Sequence, residues 1–246
     1  MPTFGRNRAY IKNKTETIDT LEFPYLTCTI GILAAYIVGS LPFGFWISKC
    51  LGVDIRNQGS GNIGATNVLR TLGRKVGIIV LILDILKGYL PVLIGSGIII
   101  NQLPDSMLGD EKIEGTIYVL LAIGAILGHN YTFWLGFKGG KGIATSAGAI
   151  MSFLPEVLIG STLVWILVFF SSRYVAIASI AAAFSIPILT VSLSHNYLFP
   201  DINSSSPVII FGIIAAAMAV WRHRSNIQRL IKGEEDRFER KIKNKV

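Results

Sequence analysis

Seven apolar runs, of which the fourth and fifth are short, alternate with polar loops and dominate the chain. They cover Tyr25–Cys50, Lys75–Ile100, Gly115–Trp134, Gly142–Leu154, Glu156–Ser171, Tyr174–Ser194 and Pro207–Trp221. A helix needs about 20 residues to cross a hydrocarbon core, and a backbone inside that core must satisfy its own hydrogen bonds. The pattern predicts an all-α, polytopic integral membrane protein with about seven transmembrane helices, some of them half-length segments. Pro155–Glu156 divides one long run, so five or six spans remain alternatives.

The composition agrees with this class and excludes a soluble domain. Of the 246 residues, 51% are hydrophobic and only 15% charged, against about 25% charged in soluble domains. We expect a polar, disordered N-terminal tail at 1–24, which shows no signal-peptide pattern. A membrane domain follows at 25–235, and a basic cytoplasmic tail at 236–246.

The net charge of +8 is unevenly distributed among the loops. Lys and Arg concentrate in alternate loops and in the C-terminal segment, whereas the other loops between the runs contain only Lys112. Basic loops stay in the cytoplasm, so we expect the C terminus there and the N terminus outside. Basic residues beside a membrane helix favour anionic lipid over nucleic acid. The expected location is the cell inner membrane.

A glycine-rich loop follows the first run, at Gln58–Arg70. Its glycines fit the spacing GxGxxG, but that fingerprint requires a preceding strand, and a membrane helix precedes this one. Glycines let backbone N–H groups approach an anion, and an Arg binds phosphate oxygens in a fork. The loop is therefore either a phosphate site or an ordinary tight turn. The side chains that could add donors are Ser60, Asn62, Thr66, Asn67 and Arg70.

Two further polar clusters lie on the same predicted side of the membrane. Gly136–Gly142 places Lys138 and Lys141 among glycines, and it is not a Walker A motif because Gly142 stands where Ser or Thr is required. In the C-terminal segment His223, Asn226 and Arg229 recur every three residues and share one helix face. The alternatives are a solvated basic tail for the third cluster and, for the nearby His129, an ordinary interfacial histidine.

Two ionisable residues, Asp84 and Lys87, lie inside the second run. Placing a charged side chain inside the membrane costs free energy. Such residues therefore usually have a function or face the interior of the helix bundle. Their spacing of three residues favours a structural ion pair with each other. A transporter for a phosphorylated solute would also suit such residues, but transporters often carry internal repeats and broken helices, and the sequence shows no repeat.

Taken together, the three clusters resemble the bacterial acyl-phosphate:glycerol-3-phosphate acyltransferases, membrane enzymes that make lysophosphatidic acid. The matching stretches are GSGNIGATNVLR at 59–70, FKGGKGIAT at 137–145 and HRSNIQRL at 223–230, followed by Gly233 and Glu235. The resemblance covers nearly the whole chain from the first run onward. One departure is Glu234, where the family commonly has Thr; the acid that follows it is retained.

The resemblance implies seven membrane helices, a cytoplasmic active site, and acyl phosphate and glycerol 3-phosphate as substrates. No metal-ligand spacing stands out in the sequence, so we expect no metal, and we expect no cofactor. The resemblance also implies that Ser60, Arg70 and Lys141 hold phosphate groups and that His223 orients a substrate or acts as a base. The implied catalytic residues are Ser60, Lys141, His223, Asn226 and Glu235. The implied substrate-binding residues are Gly61, Asn62, Thr66, Asn67, Arg70, Gly139, Gly140, Gly142, Ser179 and Arg229. We expect a monomer in the lipid bilayer.

Overall fold

The structure is a computed structural model that describes residues 25–194 and 204–238. Within these ranges the chain is helical, without a β-strand. The helices are α1 (25–39), α2 (Phe43–Cys50), α3 (Ala65–Leu72), α4 (Arg74–Ile100), α5 (Glu111–Asn130), α6 (Ile143–Met151), α7 (Pro155–Ser172), α8 (Val175–Ser194), α9 (Ser206–Arg222) and α10 (Arg224–Lys232). The predicted tail at 1–24, and the predicted basic tail beyond residue 238, lie outside the described residues.

Every apolar run of the sequence contains helix, but the runs differ in length. Five segments of the described chain are long and apolar enough to span a membrane, or six if α9 and α10, which meet at a bend of 53°, form one span. Helix α6 has only 9 residues, about 14 Å at ~1.5 Å per residue. The seven predicted segments therefore include five or six of spanning length and one half-length helix.

The first run is a single apolar stretch in the sequence but forms two helices. The chain leaves helical geometry at 40–42, just before α2 begins at Phe43. Pro42 has no N–H to donate and cannot continue the helix. At this break the carbonyl oxygen of Leu41 accepts hydrogen bonds from Nζ of Lys87 at 2.7 Å and from the N–H of Phe43 at 3.0 Å. Polar backbone at the break is thus satisfied by a buried charge of α4.

The outer faces of the long helices are apolar. On α7, the side chains of Leu167, Ile159 and Phe170 are 71%, 63% and 61% exposed. Soluble monomers rarely expose contiguous apolar surface of this kind, whereas lipid tails solvate it. The exposed faces therefore identify the surface that meets the hydrocarbon core.

The half-length helix α6 is enclosed by the rest of the protein. It presses closely on α4, because a Cβ added to Gly88 would lie only 2.1 Å from the carbonyl oxygen of Thr145. Small residues at such crossings let membrane helices approach. Ala149 and Ile150 of α6 are buried in the main core cluster. A helix too short to span is therefore packed in protein, where its ends need not meet lipid.

The three polar clusters meet at one end of the bundle. Lys141 of the second cluster donates to Oδ1 of Asn226 in the third. Arg70, at the end of the first cluster, donates to the main-chain oxygen of Asp236 at 3.0 Å. The convergence that the loop pattern predicts is therefore present, and it places the candidate site at the polar end of α4, α5 and α9.

Candidate active site

The first loop is organised around the buried side chain of Asn67. Its Nδ2 donates to the carbonyl oxygens of Gln58 and Asn62, both at 2.9 Å, and its Oδ1 accepts from the main-chain N–H of Ser60 at 3.0 Å. The N–H of Gly61 donates to the carbonyl oxygen of Gln58. These amides are engaged within the loop, so they do not form the anion-binding nest that the glycines suggested. Contacts to an anion fall instead to side chains such as that of Ser60.

The segment after α10, residues 234–238, runs along the polar end of the site, where it contacts Arg70 and Arg173, and we call it the C-terminal strap. Phe238 donates its N–H to the carbonyl oxygen of Arg173 at 3.0 Å, which ties the strap to the turn between α7 and α8. The guanidinium of Arg70 lies 4.6 Å from the ring centre of Phe238 and 3.4 Å from Oδ2 of Asp236. Arg70 therefore holds the strap over the site.

The glycine loop of the second cluster packs against the end of α5. The N–H groups of Gly139 and Gly140 donate to the carbonyl oxygens of Asn130 and His129, at 3.2 and 3.1 Å. A Cβ on Gly140 would lie 2.1 Å from Nε2 of His129, so the loop admits no side chain there. The glycines thus allow a close approach to α5, and that approach fixes where the next residue, Lys141, leaves the loop.

A chain of polar contacts connects the second cluster to the third. Lys141 donates to Oδ1 of Asn226, whose Nδ2 donates to Oε1 of Glu235 at 2.6 Å. The other carboxylate oxygen, Oε2, accepts from Nε of Arg229 at 2.7 Å. Because the carboxylate of Glu235 accepts from Nδ2 of Asn226, the amide is turned so that its oxygen faces the lysine. The chain therefore fixes the orientation of Asn226 and, through it, the ammonium of Lys141.

The pKa of Lys141 is lowered to about 8, chiefly by burial and in part by the charges of Arg229, Arg70 and Arg222, whereas Glu235 opposes the shift. At neutral pH the side chain is still mostly charged. The ammonium is poorly hydrated and is repelled by the neighbouring guanidinium groups. An anion that binds beside it offsets both the lost hydration and the repulsion.

His223 lies at the bend between α9 and α10, beyond the end of the membrane segment. Burial, with the nearby charge of Lys141, lowers its pKa to about 4. Its Nδ1 lies 2.8 Å from the carbonyl oxygen of Ala219. A carbonyl only accepts, so Nδ1 carries the hydrogen and Nε2 of the neutral ring is the acceptor. The residue is therefore neutral at physiological pH, with a defined tautomer.

A large cavity of about 640 Å³ opens between α4, α5, α6, α7, α8 and α9. Apolar residues form most of its wall, including Ile126, Ile150, Ile186 and Phe211. Its polar end carries most of the predicted residues: Ser60, Asn62, Thr66, Asn67, Arg70, Lys141, Gly142, His223, Asn226 and Glu235. The shape is an apolar chamber closed at one end by cations, amides and a neutral imidazole.

A second, smaller pocket of about 260 Å³ lies beside that polar end. Four cationic residues line it, together with hydroxyl, amide and glycine groups: Arg56, Lys138, Lys141, Arg229, Ser60, Asn62, Gly61, Gly139 and Ser225. We call it the cationic pocket. Ser60, Asn62 and Lys141 line both spaces, so the pocket and the chamber adjoin at these three residues.

Ser179 lies on α8 in the wall of the large cavity, where its Oγ accepts a hydrogen bond from Nε1 of Trp165 at 3.1 Å. The predicted ion pair is also present: Nζ of Lys87 lies 2.7 Å from Oδ1 of Asp84, and both side chains are buried. His129 lies 3.8 Å from the same oxygen. Asp84 and His129 belong to the wall of the large cavity.

The family model described as glycerol-3-phosphate acyltransferase matches residues 29–233, which include all three clusters. The chain belongs to the glycerol-3-phosphate acyltransferase family. One curated member, the glycerol-3-phosphate acyltransferase of Desulforamulus reducens, is 43% identical over 86% of this chain and 95% of its own length. The member from Aquifex aeolicus is 39% identical over 84% of this chain and 97% of its own length.

Solved structures of this acyltransferase family share the fold. The crystal structure of PlsY (YgiH), an integral membrane glycerol 3-phosphate acyltransferase, in its glycerol 3-phosphate form, is 38% identical to this chain. It superposes with a TM-score of 0.74 over 86% of this chain and 96% of its own. The lysophosphatidic acid form gives 37% identity and a TM-score of 0.72. The chain is therefore an all-helical integral membrane acyltransferase.

The structure also includes residues that the sequence did not single out for this acyltransferase. Arg56 and Ser225 line the cationic pocket, and Arg222 binds the glycine loop. Of the predicted residues, Gly140 lines neither of the two spaces and acts by close packing instead. Arg222 directly precedes His223 in a segment rich in basic residues. No local pattern shows that its side chain reaches a loop 82 to 83 residues earlier.

Proposed function

We propose that this chain transfers a fatty acyl group from acyl phosphate to glycerol 3-phosphate, giving 1-acyl-glycerol 3-phosphate and phosphate. One observation carries the proposal: an apolar chamber and a cationic pocket adjoin at Ser60, Asn62 and Lys141. The reaction joins an apolar donor to a small anionic acceptor, and these two spaces match the two substrates. This would be the first step of phospholipid biosynthesis.

The acyl donor fits the large cavity. Its volume of about 640 Å³ lies within the ~300–1,000 Å³ range of ligand sites, and its apolar wall suits a fatty chain. A phosphate on that chain would then meet Lys141 and, once Asp236 is displaced, the guanidinium of Arg70. Ser179 lies in the same wall and is proposed as a further contact.

The acceptor fits the cationic pocket. A volume of about 260 Å³ excludes a long chain but admits a small molecule. Arg229 presents its fork beside Lys138 and Lys141, and an Arg fork binds phosphate in a bidentate manner. The phosphate of glycerol 3-phosphate would lie there, with a glycerol hydroxyl directed toward the shared boundary at Ser60 and Asn62. No metal is needed, because side-chain cations balance both substrates.

The chemistry needs positioning more than an activated protein nucleophile. An acyl phosphate is a mixed anhydride: the acceptor hydroxyl forms an ester bond to the carbonyl carbon, the carbon–oxygen bond to phosphate breaks, and phosphate leaves. Lys141 offsets the negative charge that develops on the carbonyl or the leaving group. Held side by side, the two substrates gain from orientation.

His223 is proposed to orient the acceptor rather than to remove its proton. With a pKa of about 4, its imidazole binds a proton more weakly than a phosphate group, whose second pKa is ~6. The leaving phosphate can therefore take the proton from the attacking hydroxyl, while Nε2 of His223 accepts a hydrogen bond from the other glycerol hydroxyl and so orients the acceptor. In a His223→Gln variant we expect a modest loss of turnover. A loss of several decades at every pH, with substrate binding intact, would favour the base role.

The site is proposed to face the cytoplasm, in the inner membrane, with the N terminus outside. The polar end carries Arg56, Arg70, Lys138 and Lys141, and basic loops remain on the cytoplasmic side. The chain alone supplies the wall of both spaces, which supports a monomer. Cysteine labelling from either side of sealed vesicles, at the polar end and at Lys112, would test the orientation.

Phosphate release by the purified protein in lipidic medium tests the proposed activity. With palmitoyl phosphate we expect release only when glycerol 3-phosphate is present, formation of lysophosphatidic acid, and loss of both in Lys141→Ala. Lys112→Ala, at the opposite end of the bundle, is the matched control and should keep full activity. Lysophosphatidic acid formed from a coenzyme A thioester, with none formed from palmitoyl phosphate, would refute the donor. Uptake of glycerol 3-phosphate into vesicles without product would favour a transporter.

A further inference from the structure

Arg222, the last residue of α9, reaches across to the glycine loop. Its Nη2 donates to three main-chain carbonyl oxygens: that of Asn130 at 3.2 Å, that of Gly139 at 3.1 Å, and that of Gly140. Its guanidinium also lies 5.2 Å from the ring centre of Tyr131. One cation therefore binds both the end of α5 and the turn that follows it.

The loop is held from its other side by α5. The N–H groups of Gly139 and Gly140 donate to Asn130 and His129, and a Cβ on Gly139 would lie only 2.0 Å from the carbonyl oxygen of His129. Carbonyls at the end of a helix carry partial negative charge, which favours a cation there. The turn is thus enclosed between the end of α5 and the guanidinium.

The residue that follows this turn is Lys141, which lines both the large cavity and the cationic pocket. Its Nζ is held by Asn226, while its main chain directly follows the carbonyl of Gly140 that Arg222 binds. Arg222 and Asn226 stand on either side of His223 at the bend between α9 and α10. The lysine is consequently fixed at both ends by this one bend.

We infer that Arg222 is a positioning residue. It clamps the Gly139–Gly140 turn to the end of α9 and so fixes the positions of Lys141 and His223 relative to each other in the active site. It touches neither cavity and acts through the loop. The inference rests on the proposed function, and it adds a residue to that site rather than a second activity.

Arg224 shows what an ordinary basic residue does at this bend. It donates to the carbonyl oxygen of Trp221, three residues earlier, at 3.1 Å and lies 4.8 Å from that residue's ring centre. Its contacts stay local and its side chain is exposed. Arg222 instead binds residues 82 to 92 positions away. A role in membrane topology alone would not require those contacts, so Arg224 provides the matched control.

The test compares Arg222→Ala, Arg222→Lys and Arg224→Ala in the phosphate-release assay. A misplacement of about 1 Å costs ~100-fold in rate, so we expect kcat/KM to fall about that far in Arg222→Ala. Arg222→Lys should recover part of the loss, and added ethylguanidinium should restore Arg222→Ala at least about tenfold. Arg224→Ala should stay within about twofold of the parent. Rescue by a free guanidinium separates a lost clamp from a lost fold.

Hydrogen exchange gives a readout that does not depend on the reaction. In Arg222→Ala, the amides of 139–140 should exchange at least about tenfold faster, with ethylguanidinium slowing them again, while those of α4 remain protected. Unchanged exchange, or activity within twofold of the parent, would overturn the inference. The inference would also be overturned if Arg222→Ala were inactive, if ethylguanidinium did not restore it, and if its amides exchanged faster throughout the described chain. If the parent protein itself releases no phosphate, the proposed function fails, and the exchange experiment still decides the clamp.

Discussion

The lowered pKa of Lys141 should impose an alkaline limit on activity. Burial and the neighbouring guanidinium groups hold this pKa at about 8, and only the protonated ammonium can offset charge on phosphate or carbonyl. Raising the pH through 8 therefore removes the charge and lowers kcat/KM. The substrates do not mask this limb, because phosphate groups with a second pKa of ~6 are already ionised there.

The size of the effect follows from the titration. With a pKa of about 8, roughly 90% of the lysines are charged at pH 7 and about 10% at pH 9, so kcat/KM should fall ~tenfold between them. A bound phosphate favours the charged form, so the limb in kcat should lie at higher pH than the limb in kcat/KM. The separation between the two limbs measures how closely the anion contacts Lys141.

The assay is phosphate release from palmitoyl phosphate at saturating and limiting glycerol 3-phosphate, from pH 6.5 to 9.5. Lys141→Arg retains a charge that does not titrate in this range, so its activity, although lower, should be flat above pH 8. Lys138→Met is the control in the same loop. It should raise KM for glycerol 3-phosphate and leave the alkaline limb near 8.

Two results would contradict this reasoning. A parent kcat/KM that stays constant to pH 9.5 would mean that the charge of Lys141 is not required or that its pKa is not lowered. A limb that persists unchanged in Lys141→Arg would assign the titration to another group. The ionisable groups that act on this lysine or are acted on by it are Glu235, Arg229, Arg70, Arg222 and His223.

Three further substitutions test separate contacts. Gly140→Ala forces a Cβ to within 2.1 Å of the imidazole of His129, so kcat/KM should fall at least about tenfold. Gly97→Ala, where the added Cβ meets open space, is the control and should leave kcat/KM unchanged. Equal activity of the two variants would refute the packing role of Gly140. Lys87→Met leaves Asp84 buried and unpaired, which should cost about 3–5 kcal/mol in thermal unfolding in detergent, and adding Asp84→Leu should recover part of that loss. Asp236→Ala removes the carboxylate contact to Arg70 and leaves the main-chain contact, so KM for acyl phosphate should fall about twofold to fivefold, the value of an exposed pair. A higher KM would mean that the strap assists binding.

Much of this protein could be predicted from local patterns. Apolar runs set by hydrocarbon thickness predicted the helical membrane class and the short fourth segment, which is α6. The spacing of Asp84 and Lys87 predicted their ion pair, since residues three apart share one face of a helix. The alternation of basic and acidic loops predicted that the three polar clusters lie together at one end. Each of these inferences depends on neighbours close in sequence or on the membrane itself.

Contacts between distant segments were decided only by the tertiary structure. The amides of Gly139 and Gly140 bond to the end of α5, because the loop packs there with no room for a side chain, and no local pattern showed that contact. Arg222 is one of several basic residues near the C terminus, and only the fold places it against that loop. Asn226 needed Glu235 and Lys141 to fix its amide. Helix propensity describes how well each residue suits its own helical turn, and hydropathy describes how well it suits the lipid. Which side chains meet across the bundle depends on how the helices cross, and one sequence read locally does not contain that geometry.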